Sequence, residues 1–332
     1  MKAATYVQYG SPDVVTVTEV PRPMPQDHDV LIRVHATTVT TGDWRARSLQ
    51  LPKGFGFLGR LVFGFSKPRQ PILGTELAGE IVAVGKGVSR FTVGDRVFAF
   101  TGAGMGCHAE YKCMPEDGML SLMPANFSYE EAAAIGFGGT TALRFLRQAK
   151  IKGGDRVLIN GASGGVGTAA VQLAKHFGAD VTGVCSTGNV TLVTSIGADR
   201  VIDYTREDVT QNGETYDIII DTVGTLPFAR SKGSLAKGGR LLLVFGTMND
   251  LLLIPWVSMT STHKVIGGPA RLRPEDLTFL ARLAESGEFK PVIGRRYPFE
   301  QIAEAHRYVD TGHKQGNVVI SLHTHPLPGF TF

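Results

Sequence analysis

The sequence predicts an α/β chain in which a mostly-β region precedes repeated βα units on a parallel sheet. Three observations carry that expectation. Up to about residue 123, short β-rich runs are separated by Gly and Pro. From about residue 127, apolar runs alternate with helical patterns. A glycine-rich turn joins the first of those runs to an amphipathic helix. The 332 residues suggest about two domains. With 41 glycines, 17 prolines and no G-X-Y period, collagen is excluded, and 43% hydrophobic against 19% charged residues excludes global disorder.

In chain order, the runs VLIRVHA (30–36), ELAGEIVAVG (76–85) and DRVFAF (95–100) lie between turn signals, which marks an irregular, mostly antiparallel β domain. Leu49 to Pro71 interrupts them with Phe55, Phe57, Phe63 and Phe65 among glycines and basic residues, without a clear period. It reads as a long loop, either a functional lid or poorly ordered, with an oligomer contact as a further role. Five further runs follow: RVLING (156–161), DVTGVCS (180–186), RVIDY (200–204), YDIIIDTVG (216–224) and RLLLVFG (240–246). Helical stretches near 274–286 and 299–310 and the strand NVVISL (317–322) close the pattern.

The greasiest stretch, Leu241 to Met259, is broken by Gly246, Asn249, Asp250 and Pro255, which argues against a membrane span. Within it, LLLIPWVSM (251–259) reads as an exposed edge strand able to pair across a two-fold axis. A net charge of +4 without basic clusters gives no nucleic-acid footprint. The start MKAATYVQYG has no apolar h-region, and three cysteines build no disulfide framework. A soluble cytoplasmic protein is expected.

The strongest signal is RVLINGASGGVGTAAVQLAKHFGAD (156–180). A strand ends at Asn160, glycines follow at 161, 164, 165 and 167, and Val166, Ala170, Leu173 and Phe177 line one face of the helix beyond. One glycine permits the tight turn, another lets a pyrophosphate approach the backbone, and a third lets helix and sheet pack closely. The helix N-terminus then offers N–H groups and a positive dipole end. The predicted cradle comprises Gly161, Ser163, Gly164, Gly165, Val166 and Gly167. GFGFLG (54–59) matches the same glycine spacing, but no β run precedes it, and it reads as loop.

An NAD site places an acid at the end of the second strand to hold the ribose 2′-OH. That position reads Cys185-Ser186-Thr187-Gly188-Asn189, a neutral loop that favours NADPH over NADH through Ser186, Thr187 and Asn189. Tyr204 and Arg206, after the third strand, either complete a phosphate pocket or are simple strand-end residues.

These features together resemble the medium-chain dehydrogenase/reductase superfamily along essentially the whole chain. The matching segments are AATYVQYGSPDVVTVTEVPRP (3–23), LGTELAGEIVAVGKGVSRFTVGDRVFAF (73–100), HAEYKCMP (108–115), GGTTAL (138–143), INGASGGVG (159–167), GADRVIDY (197–204) and KQGNVVISL (314–322). The resemblance implies a homodimer, each chain with a GroES-like catalytic domain over 1–126, completed by 268–332, around a doubly wound Rossmann domain over 127–267, with the active site between them. Alcohol dehydrogenases of this superfamily hold catalytic zinc with Cys, with His in a G-H-E stretch, and with a second Cys or Asp. Here those positions read Thr40 in TTVTTGDW (37–44) and Gly74-Thr75-Glu76, while Cys107 and Cys113 cannot supply a four-thiolate structural site. No metal is expected, and without a Lewis acid an unactivated alcohol is a poor substrate.

What the resemblance then implies is the zinc-independent branch, similar to quinone oxidoreductases and enone reductases: hydride passes from NADPH to a quinone or an α,β-unsaturated carbonyl, a small apolar electrophile. A 2-enoyl thioester reductase and a low-turnover NADPH-binding protein are the alternatives. The branch has a T-x-N-x-x-D pattern near the nicotinamide, and here Thr38, Thr40 and Asp43 stand in it. Thr40 and Asp43 are the catalytic candidates, although Asp43 could instead pair with Arg45 or Arg47. Thr141 matches a threonine near the nicotinamide amide, and Asn317 a further cofactor contact. Val223-Gly224 and Phe245-Gly246 end β runs at the sheet's carboxyl edge, where ligands of such sheets bind. No tyrosine occurs in WRARSLQLPKGFG (44–56) to donate a proton, which suits protonation by solvent. His323 and His325 read as solvated histidines rather than metal ligands.

Overall fold

The computed structural model of the chain describes residues 1–268 and 273–322; His323 and His325 lie outside them. The chain opens with an antiparallel ribbon of β1 (Lys2–Thr5) and β2 (Thr16–Glu19). Then come β3 (Asp29–Thr38), α1 (Thr41–Ser48), α2 (Gly56–Phe63) and β4 (Glu76–Val84). β5 (Arg96–Phe100), β6 (Tyr111–Pro115) and β7 (Leu120–Leu122) complete this part. After α3 (Tyr129–Ala133) and α4 (Gly136–Gln148), strands and helices alternate. They are β8 (Arg156–Asn160), α5 (Gly165–His176), β9 (Asp180–Cys185), α6 (Val190–Ser195) and β10 (Arg200–Asp203). β11 (Tyr216–Asp221), α7 (Phe228–Ser231), β12 (Leu235–Leu243), α8 (Met248–Thr260) and β13 (Lys264–Gly267) follow. The chain then returns through α9 (Pro274–Glu285), β14 (Ile293–Pro298), α10 (Ile302–Asp310) and β15 (Asn317–Ser321).

Two sheets result. Six parallel strands run in the order β10-β9-β8-β11-β12-β13, a Rossmann-like sheet whose order reverses between β8 and β11. The other, GroES-like sheet has seven strands, ordered β14-β15-β3-β4-β5-β7 with β6 also on β3. Strand β15 lies antiparallel to β3, with Val319 opposite Thr38, so both ends of the chain build one sheet. The largest core cluster runs across both sheets: Phe98, Ile135, Leu143, Ile159, Ile218, Leu280 and Val319 belong to it. Burial of such side chains contributes about 1.5–3 kcal/mol each, and this cluster joins the two sheets.

Two expectations fail here. Residues 251–259 are not an edge strand but the body of α8, and the sheet edge is β13. A capping box starts the helix: the Thr247 hydroxyl accepts from Asp250 N, and the Asp250 carboxylate accepts from Thr247 N at 2.8 Å. Only Val257 is buried in α8, while Leu252, Leu253, Trp256 and Met259 are exposed along one face. The segment 49–71 is likewise not all loop, because Gly56–Phe63 form α2 with Phe57, Leu58, Leu61 and Val62 exposed.

Candidate active site

The glycine turn stands where the strand order of the parallel sheet reverses. Gly161 takes a left-handed φ of +80°, which turns the chain sharply off β8. A Cβ on Gly167 would stand 2.0 Å from the Gly161 carbonyl oxygen, so α5 lies directly against the strand end. Gly164 is the N-cap and supplies no side-chain hydrogen bond, leaving the first N–H groups of α5 open to an anion. The last strand fixes the turn from outside: Gly316 N donates to Ser163 O at 2.8 Å. Asp221, fully buried at the end of β11, accepts from Val223 N, Gly224 N, Leu226 N and Asn160 Nδ2 at 2.8–3.1 Å. It shapes the neighbouring loop, a role that no local sequence signal announces.

A cleft of about 930 Å³ opens over this turn. Of the predicted residues, Gly161, Ser163, Gly164, Gly165, Val166, Gly167, Ser186, Asn189, Tyr204, Val223 and Phe245 line it, as does Arg206. Thr40, Asp43, Thr141, Thr187, Gly224, Gly246 and Asn317 are not among its lining residues. Thr187 donates instead to Asp203 at 2.5 Å. That hydrogen bond, with those of Thr205, holds the Asp203 carboxyl below the usual carboxylate range. Asp203 reaches this spot from β10, beside Cys185, so a carboxylate does stand near the end of β9. Asn189 donates to Ser163 Oγ and Ser186 Oγ at 3.1 Å and accepts from Gln315 Nε2 at 2.5 Å, making a polar floor. Asn317 bonds Val292 O at 3.1 Å.

Thr40 and Asp43 form the capping box of α1. Thr40 N and Oγ1 donate to Asp43 Oδ2 at 2.8 and 2.6 Å, and Asp43 Oδ1 accepts from Gly74 N at 2.8 Å. With both oxygens engaged and no exposure to solvent, Asp43 holds α1 against the turn before β4 and pairs with neither Arg45 nor Arg47. Thr75 Oγ1 lies 3.4 Å from Thr40 Oγ1, so hydroxyls face each other there. Arg47 instead binds Asp310, and Arg45 enters the cleft beside Trp44 and Phe137. Among the described residues, none of 49–71 lines the cleft.

Glu76, wholly buried at the start of β4, ties the two parts of the molecule together. Its carboxyl accepts from Thr38 Oγ1 and, at 2.5 Å, from Phe137 N in the first turn of α4. Burial pushes it up to about 7 against the opposing pull of those hydrogen bonds. An unfolded carboxyl near 4.5 releases its proton earlier, so the folded state binds more protons between those values. Stability is therefore expected to fall as pH rises from about 4.5 to about 7, then level off. Glu76→Gln keeps the neutral shape and should remove that slope, a relative gain of roughly 3 kcal/mol across the window. Denaturant midpoints of both proteins at pH 5 and pH 8 measure it; a difference independent of pH defeats the assignment.

The arrangement fits a dinucleotide, with an open helix N-terminus, a cradle without side chains and a polar floor beyond it. Residues 26–125 match the alcohol dehydrogenase GroES-like domain, and residues 196–320 match the zinc-binding dehydrogenase family. Over 94% of both chains, the protein is 33% identical to a quinone oxidoreductase of Homo sapiens. The chain belongs to the medium-chain dehydrogenase/reductase superfamily. Within this superfamily it is quinone oxidoreductase-like and an oxidoreductase enzyme. It is 32% identical to a 2-methylene-furan-3-one reductase of Solanum lycopersicum, over 99% of this chain and 80% of that one. The solved quinone oxidoreductase of Coxiella burnetii superposes with a TM-score of 0.87 at 29% identity, covering 97% of this chain and 99% of that one. Members of the superfamily bind nicotinamide cofactors, which suits the cradle. No helix among the described residues is long and apolar enough to cross a membrane.

Proposed function

We propose that this medium-chain reductase is an NADPH-dependent, zinc-free oxidoreductase that passes hydride to quinones or α,β-unsaturated carbonyls. The observation that carries the reading is the pair of hydroxyls, Thr40 and Thr75, where the superfamily's alcohol dehydrogenases keep zinc ligands. Hydroxyls are poor zinc ligands, and the chemistry left to such a site is reduction of an acceptor already short of electrons. Among the described residues, no group of three His, Cys, Asp or Glu side chains is placed to hold an ion. The names of the relatives, a quinone oxidoreductase and a furanone reductase, support both acceptor types. Bound in the cradle, the dihydronicotinamide supplies the hydride, and the protein supplies position and electrostatics.

The preference for NADPH is supported by the loop after β9, where Ser186, Asn189, Tyr204 and Arg206 line the cleft. Asp203, opposite Cys185 at the end of β9, is engaged by Thr187, Thr205 and Arg206. Absorbance at 340 nm should show NADPH consumed with a simple quinone and with an unsaturated ketone. The kcat/KM for NADPH should exceed that for NADH by about tenfold or more, and Arg206→Ala should narrow the ratio, tenfold being about 1.4 kcal/mol. Turnover confined to enoyl thioesters would favour the thioester reductase reading. Tight binding without turnover on any acceptor, or stoichiometric zinc in the purified protein, would overturn the proposal.

A further inference from the structure

Arg45 reaches the cleft from α1 and stacks its guanidinium on the Phe245 ring, 4.0 Å from the centroid. Phe245 lies two residues beyond the end of β12. That strand is two places from β8, on the side of the reversal away from β9 and β10. At ordinary strand spacing this is roughly 10 Å from the glycine cradle. Adenosine belongs over β9 and β10, where Ser186 and Tyr204 line the cleft. The β11–β12 side is left to the nicotinamide and to whatever accepts its hydride.

At that end Arg45 is a half-buried cation that has, among the described residues, no ion pair and no side-chain hydrogen bond, and its buried Nε has no partner among them. The other arginines lining the cleft are neutralised: Arg206 by Asp203 and Arg230 by Asp208. Withdrawing a guanidinium from water without a carboxylate partner is costly. Burial lowers its pKa to about 10, which leaves it charged at neutral pH. Its platform is fixed, since a Cβ on Gly224 would stand 2.2 Å from the Phe245 ring. An unpaired cation on a fixed ring, facing the acceptor end of a cleft, is built to meet negative charge.

We infer that Arg45 is the oxyanion-binding group of this enzyme, donating hydrogen bonds to the acceptor oxygen that becomes anionic as hydride is added. The inference rests on the hydride-transfer reading above. With an unsaturated ketone, hydride bonds to the β-carbon and the C=C electron pair moves toward the carbonyl, placing the charge on oxygen. Arg45 holds that enolate oxygen until solvent delivers a proton to the α-carbon. With a quinone the charge falls on a ring oxygen, which solvent protonates. In either case the acceptor gains one hydride and one proton, and the dihydronicotinamide is the reductant. The guanidinium stabilises the charge, and the proton comes from solvent, in keeping with the lack of a tyrosine in 44–56.

The test uses the full chain with Arg45→Gln and Arg45→Lys. With a cyclic enone at saturating NADPH, kcat of the Gln variant should fall about 100-fold, the loss typical of one oxyanion donor. The Lys variant should fall between the Gln variant and wild type, and NADPH affinity should stay within about twofold for both. A measurement without turnover accompanies it: 4-nitrophenol should bind wild type preferentially as the yellow phenolate, an enolate mimic, and should not do so with Arg45→Gln. Loss of kcat by less than about threefold, with no phenolate binding, overturns the inference. So does a drop of more than about tenfold in NADPH affinity with kcat intact, because Arg45 would then serve the cofactor phosphates. If wild type turns over no acceptor, the hydride-transfer reading falls, and phenolate binding alone decides whether Arg45 is an oxyanion site.

Discussion

Gly167→Ala is expected to abolish NADPH binding and to destabilise the protein by about 3 kcal/mol, the upper end of ordinary overpacking. The added Cβ would stand 2.0 Å from the Gly161 carbonyl oxygen and 2.8 Å from Ala162 Cα. Both obstacles are backbone, so no rotamer change relieves them. The N-terminal end of α5 must back away from β8, and with it the N–H groups that the phosphates need. Titrating NADPH against protein fluorescence and recording the denaturant midpoint measure the two effects separately. Gly233→Ala is the control, since a Cβ there meets nothing within 4 Å, and that variant should be neutral or slightly more stable. A Gly167→Ala protein that binds NADPH normally would show that helix and strand do not approach as closely as described.

The parallel sheet was legible because its strands are buried on both faces and therefore read as unbroken apolar runs, YDIIID (216–221) above all. The glycine turn was legible because its physics is local. Helix α8 was not, because it is apolar nearly all round and lacks the period that marks an amphipathic helix. Its start signal, Thr247-x-x-Asp250, is a capping box that also reads as a polar break in an apolar run. Thr40 and Asp43 show a different limit. Thr40 stands where the superfamily's nicotinamide pattern has Asn, and a Thr three residues ahead of an Asp is also the mark of a capping box; only the hydrogen bonds to Gly74 and within α1 show what holds the pair. Arg45, Asp221 and Asp310 were out of reach because their partners, Phe245, the Leu226 loop and Arg47, are set by tertiary packing rather than by spacing.

Asp310→Ala is expected to cost about 3–5 kcal/mol, the range for stranding a buried charge. Arg47 has no solvent exposure; its Nη2 donates to both Asp310 oxygens at 2.5 Å and its Nη1 to Gly10 O at 2.8 Å. The pair fastens α1 to α10, and α1 is the helix that carries Thr41, Trp44 and Arg45 into the cleft. Replacing both partners, as in Arg47→Met with Asp310→Asn, should cost less than the two single changes summed, because no charge is left behind. Denaturant midpoints of the four proteins give the coupling, and additive losses would show that the two charges do not depend on each other. Below its melting range, the Asp310→Ala protein should lose kcat more than NADPH affinity, since α5 and the glycine turn do not rest on this pair. Two residues apart on a helix point to nearly opposite sides. Arg47 is therefore neutralised on the side that anchors α1, while Arg45 is left unpaired on the side that faces the acceptor.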